Sequence, residues 1–319
     1  MVRRSVQSIP LLLLISIVLF AILSKAPGGQ LAPYLANPHI TEADIARLRH
    51  NFGLDQPVYM QYLHWLGHVV RGDLGYSTSN SMTVTGALLD RLPATLLLMG
   101  TSLVVSLVIG IGFGIIASLR PYSFIDYAIT TFAFFGQSMP VFWFALMLQL
   151  AFAVTGITAF GYHIALPSAG ICSTDECPFS ERLEHLILPT IVLSLLYVAT
   201  WSRFMRSSML EVLKTDYMRT AAAKGLARPR IVFRHGFRNA LIPVVTIIAL
   251  NMPSLVAGAV VTETIFAWPG MGRLFWNALG VFDFPLLMGY LMVISVLVVL
   301  FNLLADVAYA WLDPRVSYD

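Results

Sequence analysis

"DYMRTAAAKGLARPRIVFRHGFRNALIP", residues 216–243, is a dense basic stretch set between long segments that carry almost no charge. Ala221, Ala222 and Ala223 favour a helix and leave one flank small enough for close approach. Gly225 suits the left-handed residue that ends a helix, and Pro229 suits the first turn of the next. The stretch therefore predicts a short helix, a sharp turn and a basic return helix, which Asn239 and Pro243 hand on to the following apolar run. What such a unit touches depends on its surroundings.

Those surroundings are apolar. The chain of 319 residues is 57% hydrophobic and 12% charged, whereas soluble domains carry roughly 25% charged residues. Uncharged runs occupy 8–24, 92–119, 127–160, 186–202, 239–262 and 284–305. Crossing a bilayer takes about 20 apolar residues, so each run is near or above the requirement, and 127–160 has room for a helix and a loop. The pattern predicts an all-α membrane protein of six transmembrane helices. Arg3 and Arg4 ahead of the first run resemble the start of a signal peptide. Ser24-Lys25-Ala26-Pro27, however, puts a proline where a small-residue cleavage site belongs, so the first helix is expected to be retained.

Basic residues orient the spans. With the N-terminus inside, Arg3, Arg4, Arg120, nine residues from Arg203 to Arg238, and Arg315 are cytoplasmic, 13 of the 20 Lys and Arg. Glu42, Asp44, Asp55, Asp73, Asp90, Asp175, Glu176, Glu181 and Glu184 all fall outside. Both termini are then cytoplasmic, and the net charge of +3 needs no nucleic-acid partner. The expected organisation is an N-terminus and first span over 1–24, an extracytoplasmic helical segment over 25–91, a core over 92–311 with a cytoplasmic loop at 203–240, and a tail at 312–319.

The outer segment reads as folded. Thr41-Glu42-Ala43-Asp44 has the form of a capping box. Pro57 opens a second helix with Val58, Tyr62, Leu66, Val69 and Val70 on one face, and Gly72-Asp73-Leu74-Gly75 ends it in a turn. His64 and His68, four apart on that helix, are either interface histidines or two ligands of a metal lacking an evident third; no metal site is assigned. In the second outer loop, Cys172 and Cys177 stand on the oxidising side, open to a disulfide, to two free thiols, or to a metal for which ligands are missing. Pro140 predicts a kink in the third span, either functional or one of the prolines common in membrane helices.

The spans carry no Asp, Glu, Lys or Arg at mid-depth, only serines, threonines, Gln149 and Asn251. A carrier coupled to an ion gradient uses intramembrane ionisable groups, so that class is the weaker alternative. No G-x-x-x-x-G-K-[ST] loop occurs, so the chain has no means of hydrolysing ATP, and no nucleophile–base pair or catalytic residue stands out.

A basic loop that only met anionic lipid would not call for three alanines and a glycine at fixed places. "SSMLEVLKTDYMRTAAAKGLARPRIVFRHGFRNALIPVV" closely resembles the coupling-loop signature of ABC importer permeases, in particular the first permease subunit of the dipeptide, oligopeptide and nickel branch. The resemblance extends to Ala26-Pro27-Gly28, Leu54-Asp55-Gln56-Pro57, Gly72-Asp73-Leu74-Gly75, Ser138-Met139-Pro140, Thr262-Glu263-Thr264-Ile265-Phe266, Trp268-Pro269-Gly270-Met271-Gly272 and Asp313-Pro314-Arg315. Where the general signature has Glu-Ala-Ala, this chain has Arg219-Thr220-Ala221, a departure shared with the peptide branch.

The resemblance implies a type I ABC importer permease fold in the bacterial inner membrane. It implies a second homologous permease, two ABC ATPase subunits that bind ATP and magnesium, and an extracytoplasmic binding protein. The permease itself has no cofactor. Arg219, Thr220, Ala221, Ala222, Ala223, Lys224, Gly225 and Leu226 would form the coupling helix seated in an ATPase. Trp268, Pro269, Phe275 and Trp276 would either meet the binding protein or anchor at the membrane interface. Short peptides are the implied cargo, with nickel chelates, glutathione or another small solute as alternatives.

Overall fold

The computed structural model describes residues 2–26, 28–35, 39–159, 162–173, 178–258 and 260–312. Pro27, Cys177 and Asp313-Pro314-Arg315 lie outside the described residues. Helices α1 (Val2–Ser24), α2 (Ala32–Leu35), α3 (Glu42–Asn51) and α4 (Val58–Val70) lead to a short antiparallel hairpin, β1 (Tyr76–Ser77) and β2 (Met82–Thr83), with Tyr76 opposite Thr83. Next come α5 (Val84–Leu119), α6 (Phe124–Ser138) and α7 (Val141–Leu148), the last continued by a π-helical turn over Gln149–Val154. A second hairpin, β3 (Ile157–Ala159) with β4 (Tyr162–Ile164), precedes α8 (Phe179–Leu213), α9 (Asp216–Ala223) and α10 (Arg228–Arg230). A π-helical turn over Ile231–Phe237 joins α10 to α11 (Arg238–Gly258), and α12 (Val260–Ile265), α13 (Met271–Val281) and α14 (Phe284–Leu312) follow.

Among the described residues, five helical stretches are long and apolar enough to cross a membrane, six when α6 and α7 with its π turn are one bent span. The bend is 101° and falls at Met139-Pro140. Proline offers no N–H to the helix ladder and pushes its predecessor toward extended backbone. Met139 accordingly has ψ 134°, and the expected kink is a break.

The chain divides into two compact units, Met1–Thr95 with Pro269–Leu303 and Leu96–Trp268 with Leu304–Asp319. In the first, the Phe20 ring meets Tyr62, Trp65 and Phe284 at centroid distances of 5.6, 5.8 and 5.5 Å, so the inner face of α4 is packed where the helical spacing placed it. Val58 and Val70, at the ends of that face, are exposed. Thr41 caps α3: its Oγ accepts from the Asp44 N–H, and the Asp44 carboxylate accepts from the Thr41 N–H, both at 3.2 Å. The start of α5 is sealed by Val84, over which Gly289 passes so closely that a Cβ there would overlap Val84 Cγ1.

In the second unit α8, 35 residues long, is the element on which α5, α6, α7 and α11 converge. Between apolar helices in lipid, close approach and interhelical hydrogen bonds supply the attraction. A Cβ at Gly110 would lie 2.6 Å from Trp201 Cβ, and one at Gly114 would lie 2.6 Å from Met205 Cβ and 2.7 Å from the Ser202 carbonyl. Along the same seam Trp201 Nε1 donates to Ser106 Oγ at 3.1 Å, and the Thr101 and Thr190 hydroxyls meet at 3.3 Å. Ser208 Oγ donates to the Ala240 carbonyl at 2.8 Å, tying α8 to α11.

This seam makes a graded prediction. Gly114→Ala should lower thermal stability in detergent by about 1–3 kcal/mol through overpacking. Gly112→Ala, where nothing lies within 4 Å of the new Cβ, should be neutral or slightly stabilising. Equal melting temperatures for the two variants would remove the close approach of α5 and α8 as a determinant of stability.

Candidate functional site

The basic stretch is built from the end of α8 outward. Lys214 closes α8, Thr215 turns the chain in extended backbone, and its Oγ donates back to the Val212 carbonyl at 2.6 Å. α9 then turns two residues inward, Met218 and Ala221, and leaves Arg219, Thr220, Ala222, Ala223 and Lys224 exposed, with Leu226 half-buried. Asp216 pairs with Arg219 at 3.3 Å in the first turn, where a carboxylate also suits the helix dipole. Gly225 has φ +73°, the left-handed value expected of it, and its N–H donates to the Ala222 carbonyl at 3.0 Å. The side chain of Met218 reaches Gly236, where a Cβ would come within 3.3 Å of its methyl carbon. A cavity of about 530 Å³ opens beside α9, lined by Leu119, Leu213, Met218, Ala222, Leu226 and Ile231 among others.

The return helix differs in form from the sequence expectation. Pro229 does start it, in the first turn of α10, but it has no end of its own. The π turn carries it without interruption into α11, so the basic stretch and the apolar run form one helical rod. Such turns insert an extra residue into a helix and cluster at functional positions.

At the other group of expected contact residues, Trp268 is 0% exposed. Its N–H donates to the Glu263 carbonyl at 2.8 Å, and Ala267, with φ +48°, makes the turn that carries it inward. Phe275 stacks on Tyr290 at 4.6 Å. Pro269 lines a cavity of about 180 Å³ with Asn80, Arg91 and Asn277, and Trp276 is 54% exposed. Of the four aromatic and proline positions, Trp276 offers the open surface.

Other singled-out residues have local roles. His185 lies between the Gly170 carbonyl, 3.2 Å from Nδ1, and Ser173 Oγ, 3.3 Å from Nε2. A carbonyl only accepts, so Nδ1 carries the proton there. His50 and His68 face Asp55 and Asp73 at 2.9 and 3.3 Å. The hydrogen bond from His50 holds the Asp55 carboxyl below its usual range. Gln149 Nε2 donates to the Ser168 and Ile265 carbonyls at 2.8 and 3.1 Å.

Two constellations were not singled out from the sequence. Asp283, 0% exposed, caps α14 through Oδ1 and the Leu286 N–H at 3.3 Å. Its Oδ2 accepts from Ser77 Oγ, Ser79 Oγ and the Ser79 N–H at 2.7, 2.7 and 2.9 Å, fastening the β1–β2 turn. Asp126 binds Arg206 through two hydrogen bonds at 2.7 and 2.6 Å, joining α6 to α8. Both link residues far apart in the chain, and no local pattern pairs them. The seam glycines had a signal in Gly110-x-x-x-Gly114 within an apolar run.

Residues 110–318 match the family described as the binding-protein-dependent transport system inner membrane component, and residues 1–99 match the N-terminal region of such membrane components. The chain belongs to this family of inner membrane components. Its curated relatives include the oligopeptide transport system permease protein AppB of Bacillus subtilis, 44% identical over 319 residues, covering 99% of this chain and 98% of that protein. The dipeptide transport system permease protein DppB of Escherichia coli K12 is 36% identical over 331 residues, with the same two shares. Among solved structures, the MetNI methionine ABC transporter in inward-facing conformations aligns with TM-score 0.54 at 17% identity, over 72% of this chain and 97% of that one. An amino acid ABC transporter aligns at 0.51 and 12%, over 71% and 94%. These likenesses show a fold shared with type I ABC importer permeases.

The carboxylate cage tests the outer part of the first unit. Asp283→Asn keeps the size but replaces one acceptor oxygen by a donor that faces donors. Hydrogen bonds to a buried charge contribute about 1.5–3 kcal/mol each. Hydrogen exchange at residues 76–83 should accelerate strongly in this variant and less in Ser79→Ala; unchanged exchange in Asp283→Asn would show that the cage does not hold the turn.

Proposed function

We propose that this chain is one of the two permease subunits of an ATP-driven importer and forms half of the pathway by which short peptides enter the cell. The names of the curated relatives support the peptide cargo. The observation that carries the coupling role is the exposed face of α9, backed by Met218 and Ala221 and ended by a glycine at φ +73°. In this reading both termini are cytoplasmic, and Arg219 to Leu226 sit in a groove of an ABC ATPase that binds ATP and magnesium. A second homologous permease completes the pathway.

Closure of the ATPase pair would draw the two coupling helices together. Because α10, the π turn and α11 are one rod, a displacement of the segment is passed to the spans as rigid-body motion. A binding protein would deliver peptide at the outer face, meeting the segment of residues 25–91 and the loop around Pro269 and Trp276. Trp268 and Phe275 would act there by shaping the loop. Energy from a partner removes the need for an ion-binding group in the spans, where the Asp126 carboxylate is already engaged by Arg206. Nickel chelates or glutathione remain the alternative cargoes, since selection would rest with the binding protein.

We also carry forward the pairing of Cys172 with Cys177 as a disulfide of the outer loop. Alkylation of both sulfurs only after reduction is the expected result, and labelling without reductant would identify free thiols.

The coupling role is tested in proteoliposomes of the complete complex. A β-branched residue is a severe outlier at positive φ, whereas Asn tolerates it. Gly225→Val should reduce ATP-dependent peptide uptake by about tenfold or more, the effect of a strain near 1.4 kcal/mol or above, while Gly225→Asn should retain most of it. Undiminished uptake with Gly225→Val would leave the segment without a transmission role.

A further inference from the structure

α4 has two open sides of opposite character. Val58–Val70 contains no Asp, Glu, Lys or Arg, whereas α3 has Glu42, Asp44, Arg47 and Arg49 within ten residues. At about 100° per residue, Gln61, His64 and His68 fall on one side of α4, and Tyr59, Leu63 and Val70 fall on another. The polar trio lines a cavity of about 560 Å³ together with His50, Gln56 and Asp73. The apolar trio is 66%, 54% and 78% exposed. Tyr62 and Trp65, between the two sides, are the residues that pack on α1.

The level at which α4 meets α1 decides what covers the apolar trio. The Tyr62 and Ser16 hydroxyls lie 2.9 Å apart, and the Tyr62 and Trp65 rings pack on Phe20. α1 ends at Ser24, so Phe20 lies about 6 Å and Ser16 about 12 Å inside that end, at roughly 1.5 Å per residue. Phe20 also meets Phe284, the first residue of α14, where the uncharged run of the last span opens. α4 therefore crosses α1 where both spans enter apolar surroundings, and the Tyr62 hydroxyl dips a turn deeper. Beside Ser16, the α1 residues Leu14, Ile17 and Val18 are exposed, so the layer around that level is open to lipid. A water-soluble partner does not enter that layer. Tyrosine and tryptophan favour the same level of a bilayer, and a helix with one broad apolar face lies with it among the lipids there.

We infer that α4 is an interfacial helix. Tyr59, Leu63 and Val70 lie among the lipids of the leaflet at the C-terminal end of α1, the outer leaflet in the topology proposed above. Gln61, His64 and His68 keep the cavity on the aqueous side. The segment over residues 25–91 is then partly a membrane-bound element and only partly an aqueous one, with the charged α3 in water. The inference is independent of the cargo and of the coupling role; it requires only that α1 crosses the bilayer.

The test uses the complete complex in liposomes, with a nitroxide label attached at Tyr59→Cys, Leu63→Cys or His64→Cys. The parent complex, labelled in parallel, supplies the background of all other thiols. The three native side chains are exposed, so the substitutions leave the packing on Phe20 intact. Power saturation by oxygen, which concentrates among acyl chains, and by water-soluble chromium oxalate reads the depth of each label. The Tyr59 and Leu63 labels should lie about 5–10 Å into the boundary between headgroups and acyl chains, and the His64 label should be open to the oxalate. Equal oxalate access at all three positions would overturn the inference and leave α4 in water. Poor access of both reagents to Tyr59 and Leu63 would overturn it too, because protein then covers the stripe. That cover would be the second permease if the effect is present without binding protein, and the binding protein if only its addition produces it.

Discussion

An apolar side chain gains little by leaving lipid for the side of another helix, and the second unit is arranged around that constraint. Its helices hold together where their backbones approach closely and where a polar group on one finds a partner on the next. α8 takes part in most of those described above: Gly110 and Gly114 from α5, Ser106 on Trp201, Ala240 on Ser208, and Asp126 on Arg206, while Gln149 on Ile265 ties the π turn of α7 to α12 without it. The position of α8 thereby fixes the base of α9, since only Lys214 and Thr215 separate the two helices.

The first unit relies on other means. Phe20, Tyr62, Trp65 and Phe284 pack edge to face or tilted, an arrangement aromatic rings favour. The buried Asp283 has its oxygens engaged by hydroxyls and backbone N–H groups, with no described cation in an ion pair with it. A carboxylate so surrounded gives the hairpin of residues 76–83 a single geometry, where two-residue strands alone would be marginal.

What could be read from the sequence was local. Thr41 and Asp44 are three residues apart, Gly225 answers to its own φ, and Pro140 acts on its immediate neighbours, so each was visible without a fold. Extent was harder to read. α5 starts at Val84, ahead of the uncharged run, because Asp90 and Arg91 pair on its surface and a helix end outside the apolar layer tolerates charge. The angle at Pro140 and the absence of any gap between the basic stretch and α11 depend on tertiary packing. Trp268 read as a surface aromatic because composition cannot distinguish an indole turned out from one turned in; the positive φ of Ala267 decides it. Asp126 with Arg206, and Asp283 with Ser77, are separated by 80 and 206 residues, beyond any periodicity.

The length of α8 has a further effect. Its uncharged run ends at Ser202, yet the helix continues through Leu213. Those eleven residues add up to about 16 Å at 1.5 Å each. In the importer reading proposed above, the extension would be a standoff, lifting α9 clear of the headgroups, so that a soluble protein approaching from that side would meet a protein ledge before it met lipid.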